Sequence, residues 1–291
     1  MQKLTYINLL NESAVFQGAA PFVFCEISGT GPVDIDTEQI RGAYQHGATL
    51  AGWRRDARDV SVTMHIQGAD RASLYRNRVI LSGLLSMERA MNGADRARII
   101  YENDYGRWWT WAVPAHEVDW GSRAGNYALK TKVRFVCESP FWHSMAQTGI
   151  RFTYGASAFR LPFRFPIRLG TVGYKAVADN AGQVPAPVEI WIHGAGEKPG
   201  LSNLTTGAQL RLTAPLPTGS VLYLNTDPNQ LTATITSAAG ESSNAFGLVD
   251  VTYPLSQFVL RRGQNEIRYE PGGDSHQTVI EAKWYSLYEG V

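Results

Sequence analysis

The chain has 291 residues, longer than a typical single domain, and each half is long enough to bury a core of its own. Hydrophobic residues make up 44%, ordinary for a folded globular chain, whereas charged residues reach only 18% and the formal net charge is +1, which leaves no electrostatic footprint for nucleic acid or an anionic membrane. Two cysteines, Cys25 and Cys137, and no CxxC pair exclude a disulfide scaffold and a thiolate metal site.

From the first residue, Met1-Gln-Lys-Leu-Thr-Tyr-Ile-Asn has no basic region followed by an apolar core, so no secretory signal is expected and synthesis in a cytoplasm is. No apolar stretch approaches the roughly 20 residues that span a bilayer. Cys25 and Cys137 both lie in apolar, strand-like runs and are expected as buried free thiols. In Glu38 to Trp53, Ile40, Tyr44, Leu50 and Trp53 are interspersed with polar residues around Gln45-His46-Gly47, the pattern of a long hairpin. Long hairpins seldom stand alone in water, so these four are the candidate contact residues for a neighbouring domain or subunit.

Asp59 to Gln67 alternates with period two, Val60, Val62, Met64 and Ile66 on one face. Asp70 to Asn92 lacks Pro and places Leu74, Ile80, Leu81, Leu84, Leu85 and Met87 near three- and four-residue spacing. That predicts an amphipathic helix with Asp70 as N-cap and Asn92-Gly93 at its end. Tyr127 to Cys137 alternates again, with Ala128, Lys130, Lys132 and Arg134 on its polar side. Between 139 and 187, Pro140, Pro162, Pro166, Pro185 and Pro187 punctuate the chain, with Phe159 to Leu169 still strand-like, and the domain change is placed near residue 145. Beyond it, Val188, Ile190 and Ile192 alternate, as do Leu222 with Leu224 and Leu231 with Ile235. Turn signals recur at Pro215–Gly219, Thr226–Asn229, Arg262-Gly263 and Pro271–Gly273. The expectation is an all-β protein of about fifteen strands. Residues 1–145 form a β domain with one packed helix and a hairpin arm, and 146–291 a linker and a β-sandwich.

The search for chemistry returns nothing that combines. The six histidines, His46, His65, His116, His143, His193 and His276, show no HxH or HxxxH spacing, and GxSxG and GxxxxGK[ST] are absent. Asp274-Ser275-His276 places triad residue types side by side, but neighbours in an extended chain point to opposite faces, so a polar turn is expected. Asp56 and Asp59, interleaved with Arg54, Arg55 and Arg58, read as the charged base of a hairpin rather than as a glycosidase pair. Lys130, Lys132 and Arg134 read as a solvated strand face, without the interleaved aromatics of a single-strand nucleic-acid groove. Trp108-Trp109-Thr110-Trp111 puts Trp on both faces of a strand, which favours two buried faces over a sugar-binding platform. No enzyme activity, metal or cofactor is expected.

At Arg58–Gly68, Arg98–Asn103, Arg107–Val113 and, most specifically, Val133-Arg-Phe-Val-Cys-Glu-Ser-Pro-Phe-Trp142, the first half resembles the siphophage distal tail protein (Dit), of the siphovirus tail-component family. In the second half Asn180-Ala-Gly182, Pro185–Ile190, Pro199–Asn203, Thr205-Thr-Gly207 and Leu260–Ile267 resemble the same family, with one departure at Asn225, where Asp is expected at a turn. The resemblance covers nearly the whole chain. It implies an N-terminal domain that forms a hexameric ring around the tail channel, a hairpin arm that clasps the next subunit, and a galectin-like C-terminal sandwich. It also implies that the ring joins the tail tube protein to tail-tip or baseplate proteins at the distal end of the virion tail. Genomic DNA would meet the protein only in passage through the lumen. The alternative reading is a carbohydrate-binding module for host attachment.

Overall fold

The computed structural model describes residues 2–116, 118, 120–121, 123, 125–154, 175–272 and 278–291. The strand-like stretch Phe159–Leu169, the prolines within it and the run Asp274-Ser275-His276 lie outside the described residues. The chain packs as two compact units, Met1–Met145 with Tyr288–Val291, and Ala146–Leu287. Among the described residues no helix is long and apolar enough to cross a membrane.

In the first unit the elements are β1 (Lys3–Ile7), β2 (Ser13–Phe16), β3 (Phe22–Ser28), β4 (Ile35–Ile40), β5 (Thr49–Arg55), β6 (Arg58–Gln67), α1 (Arg71–Leu84) and α2 (Met87–Ala90). There follow β7 (Met91–Asn92), β8 (Asp95–Arg96), β9 (Arg98–Glu102), β10 (Arg107–Trp111), β11 (Val113–Pro114), β12 (Ala128–Cys137) and β13 (Trp142–Ser144). One sheet runs β2-β1-β9-β10-β13 and a second β11-β12-β6-β3. Period-two alternation turns Leu4, Tyr6, Ile99, Tyr101 and Trp108 of the first sheet and Val60, Val62, Met64, Ile66, Val133 and Phe135 of the second into one core. Tyr6 stacks on Phe135 at 5.2 Å between ring centroids, joining the two sheets.

The helix starts as the sequence predicts. The Asp70 side chain accepts from the Ser73 backbone N–H, and the Ser73 hydroxyl receives the Asp70 backbone N–H, a reciprocal cap. Leu74, Leu81 and Leu85 are buried in the core. The end differs from the expectation. α1 stops at Leu84, Ser86 is extended, and a four-residue second helix follows. Asn92 then ends β7, and Gly93-Ala94 turns the β7–β8 hairpin, with Gly93 at φ 55°, a conformation that suits a residue without Cβ. A second difference concerns Cys25, which is exposed. The β3–β6 register slips between Phe24 and Glu26, and the bulge leaves Cys25 unpaired and out of the core. Cys137 is buried, as expected.

The second unit contains β14 (Thr148–Tyr154), β15 (Lys175–Asn180), β16 (Ala186–Pro187), β17 (Glu189–His193), β18 (Gly200–Asn203), β19 (Gln209–Arg211), β20 (Val221–Asn225) and β21 (Thr232–Thr236). It continues with β22 (Ser242–Asn244), β23 (Val259–Leu260), β24 (Gly263–Glu270) and β25 (Thr278–Trp284). Its two main sheets are β14-β25-β17-β20-β21-β22 and β15-β24-β18-β19. Ile190 and Ile192 on β17 face Leu224 and Leu222 on one side and Ala282 and Ile280 on the other, all buried. A last short strand, β26 (Leu287–Tyr288), carries the chain to the first unit. The strands outnumber the fifteen expected because two- and three-residue ladders are too short to show a period.

Three buried asparagines organise the loops of this sandwich. The Asn265 amide donates to the carbonyls of Arg261 and Gly263, both at 2.8 Å, and accepts from Arg261 N–H at 3.0 Å. Asn203 donates to the Asn265 side chain and to the Val259 carbonyl and accepts from Thr205 N–H. Asn180 donates to the carbonyls of Val184 and Leu260 and accepts from Gly182 N–H. Asn225, where Asp was expected, ends β20 and accepts from Asp227 N–H at 3.0 Å, an Asx turn that either side chain makes.

Candidate functional site

The β4–β5 ribbon, residues 35–55, is exposed along nearly its whole length. At about 3.4 Å per residue its paired portion is roughly 20 Å long. Every residue of β4 is exposed. The four residues singled out from the sequence all fall on it, with exposures of 58% for Ile40, 99% for Tyr44, 67% for Leu50 and 62% for Trp53. Ile35 is exposed as well, at 57%. One face of the ribbon, built by Ile35, Thr37, Leu50, Trp53 and Arg55, forms an open groove of about 340 Å³. The other carries Asp36, Glu38 and Ile40. Arg54 pairs with Asp36 at 2.8 Å. Glu38 lies opposite Gly52 and has no ion-pair partner among the described residues. The turn is held by Gln45, whose side chain accepts from Gly42 N–H and donates to the Thr49 hydroxyl. Five large apolar side chains are thus exposed on this one ribbon.

The roots of the ribbon are fixed by Arg58, which the sequence reading placed in a charged hairpin base. It is not a surface charge. Arg58 is 0% exposed, and its guanidinium donates to four main-chain carbonyls, those of Gly29, Gly31, Pro140 and Glu289. The cation lies 5.3 Å from the centroid of the Trp142 ring. Burial pushes its pKa down to about 10, so it remains charged at neutral pH. Trp142 Nε1 donates to the Thr30 carbonyl, and Val291 N–H donates to the same oxygen at 3.1 Å. These bonds explain why Tyr288–Val291, expected in the second domain, belong to the first unit. Gly29 adopts φ +89°, and a Cβ there would stand 1.9 Å from the Asp59 carbonyl oxygen, so only glycine fits the approach to Arg58. The signal was present in the sequence. Arg58 shares the parity of Val60, Val62, Met64 and Ile66 and therefore points into the core. Arg54 and Arg55 do sit at the surface base, Arg55 in an ion pair with Glu289.

The remaining candidates resolve as structure. Trp108 and Trp109 are 6% and 9% exposed on opposite faces of β10, so the aromatic run is covered on both sides and offers no flat sugar platform. Trp109 stacks on His143 at 4.6 Å and meets Trp111 edge-on at 4.8 Å. Burial pushes His143 down to about 4, leaving it neutral. Burial pushes Cys137 up to about 12, against the opposing charge of Arg58, and keeps it a thiol. Lys130, Lys132 and Arg134 are exposed on β12, and Arg134 pairs with Asp59 at 2.5 Å. No group of three or more metal-ligating side chains occurs among the described residues.

No protein-family model matches the chain, and no curated protein does. Solved structures do match. The Dit protein of phage SPP1, described as a paradigm of the hub adsorption apparatus in phages that infect Gram-positive bacteria, aligns with a TM-score of 0.62 at 11% identity, over 96% of this chain and 98% of that one. A chain of the phage P2 baseplate in its activated conformation with calcium aligns with a TM-score of 0.55 at 12% identity, over 100% and 99%. The corresponding baseplate structure with strontium gives 0.54 at 12%, over the full length of both chains. The chain therefore has the all-β fold of these phage tail and baseplate proteins from end to end.

Proposed function

We propose that this chain is a structural component of the tail tip of a long-tailed phage, acting as a distal tail hub protein. The observation that carries the reading is the end-to-end fold correspondence, both units included, with the SPP1 Dit protein and the P2 baseplate chain. The exposed apolar ribbon supports it, because a head-to-tail ring needs a projecting surface on each copy that a neighbour can cover. In this reading the first unit builds a ring of six copies and the ribbon clasps the adjacent subunit. The second unit is a galectin-like sandwich on the outside. The ring joins the tail tube to tail-tip or baseplate proteins, and DNA passes through its centre. The task is mechanical and requires no catalytic group.

Light scattering with negative-stain imaging of the purified full chain tests this. One copy is 32.1 kDa, so six copies give about 193 kDa and a ring with an open centre. Simultaneous replacement of Ile40, Tyr44, Leu50 and Trp53 by Ser is expected to lower that mass and leave the thermal midpoint nearly unchanged, since all four are exposed in the single chain. A ring of undiminished mass in the variant refutes the clasp. A wild-type chain that stays monomeric at every concentration refutes the self-assembling ring.

A further inference from the structure

The outer face of α1 is a second uncovered surface of the same unit. Tyr75, Arg78, Val79, Ser82, Gly83, Ser86 and Trp120 line an open groove of about 660 Å³ along it. Val79 is 72% exposed. The Arg78 guanidinium lies 4.4 Å from the Trp120 ring centroid and 5.4 Å from that of Tyr75. Its Nε is buried without a hydrogen-bond partner among the described residues. Arg71 and Arg123 hydrogen-bond the Tyr75 hydroxyl and hold it below the ordinary tyrosine range. The helix contributes Arg71, Arg76 and Arg78 and no acidic residue between 71 and 84. The groove is thus apolar in the middle and cationic around it, and a fitting occupant presents an apolar side chain beside a carboxylate.

The ribbon carries that combination. On the β4 face that bears Asp36, Glu38 and Ile40, Glu38 lies opposite Gly52, so nothing on β5 covers its carboxylate. Ile40 stands two positions on, on the same face, and Tyr44 extends from the turn beyond. An acidic-apolar projection and a basic-apolar groove on one chain are complementary between copies, the condition for a head-to-tail contact.

We propose that the tip of the β4–β5 ribbon docks on the α1 groove of a second copy of this chain, Ile40 against Val79 and Glu38 against Arg78. The inference rests on the self-assembly reading above and adds the landing site. The full chain is tested in a Cys25→Ser background, which removes the exposed native thiol. Glu38→Arg and Arg78→Glu are each expected to raise at least tenfold the protein concentration at which light scattering shows half-assembly. Their combination on one chain is expected to restore the wild-type value, which a merely misfolded variant does not do. Ile40→Cys with Val79→Cys is expected to give a ladder of covalent multimers under mild oxidation, and neither cysteine alone does. If the wild type assembles but the charge swap does not rescue and the cysteine pair gives no ladder, the landing site is wrong and the assembly reading stands. If the wild type never assembles, both are wrong.

Discussion

The buried Arg58 ties three segments of the first unit together through main-chain carbonyls. Arg58→Met keeps an unbranched apolar stem and removes the guanidinium with all its donors. The carbonyls of Gly29, Gly31, Pro140 and Glu289 then lose their partner in a site from which water is excluded. An unpaired buried acceptor costs about 1–3 kcal/mol, so four of them give about 4 kcal/mol even at the low end. Relief of the guanidinium's own desolvation, the cause of its lowered pKa, offsets part of that, and the net expectation is about 3–4 kcal/mol. In urea, with a slope near 2 kcal/mol per molar, the midpoint of the first unit falls by roughly 1.5–2 M. Trp142, beside the guanidinium, makes tryptophan fluorescence a suitable probe. Arg58→Lys is expected to recover only part of the loss, because one ammonium cannot reach carbonyls on three separate segments. A midpoint unchanged within about 0.3 M for Arg58→Met, at an unchanged slope near that same value, refutes the assignment of Arg58 as a structural clamp.

Other outcomes follow from burial and hydrogen bonding. His143 has its pKa lowered by burial from 6.5 to about 4, so the unfolded chain takes up a proton that the folded chain refuses. The contribution to stability is fully present above pH 6.5 and declines as pH falls towards 4, by up to about 3 kcal/mol. Thermal midpoints of the wild type and His143→Gln from pH 7 to 5 should converge at the acid end, and parallel curves refute this. Native protein at pH 8 should alkylate at Cys25 and not at Cys137, with both reacting in denaturant, as read by intact mass. Asn265→Ala should destabilise the second unit by about 2–4 kcal/mol, since its amide closes the 261–265 turn and meets Asn203. A chemical-denaturation midpoint at the wild-type value excludes that role.

The strands with long alternation, β6 and β12, were legible because each buries one face only, and a period-two pattern is the direct record of that. The helix start was legible through Asp70 and Ser73, which satisfy each other's neighbouring donors. Its end was not, because Gly93 serves a hairpin turn as readily as a helix stop, and Ser86, the N-cap of the second helix, lies inside apolar spacing that runs on to Met87. The exposure of Cys25 depends on a one-residue bulge, a register property set by the partner strand. The four ribbon residues were legible as a set of apolar groups without a stripe to join. The groove on α1 was not, because it requires Trp120, brought back over the helix from 45 residues beyond Tyr75.

The pattern residues that carried the family resemblance also acquire a physical reason. Arg58, which opens the β6 motif, and Pro140 with Trp142, which close the second, are one contact: the guanidinium on the Pro140 carbonyl and over the Trp142 ring. The same cation holds Gly29 and Gly31 just before β4 and itself stands three residues after β5. Both roots of the ribbon are therefore clamped by a single buried charge, while its far half is exposed. The proposed clasp would need this division. A firm root fixes the direction of projection and so limits the orientational freedom lost on association, and an uncovered tip keeps its apolar area for the partner.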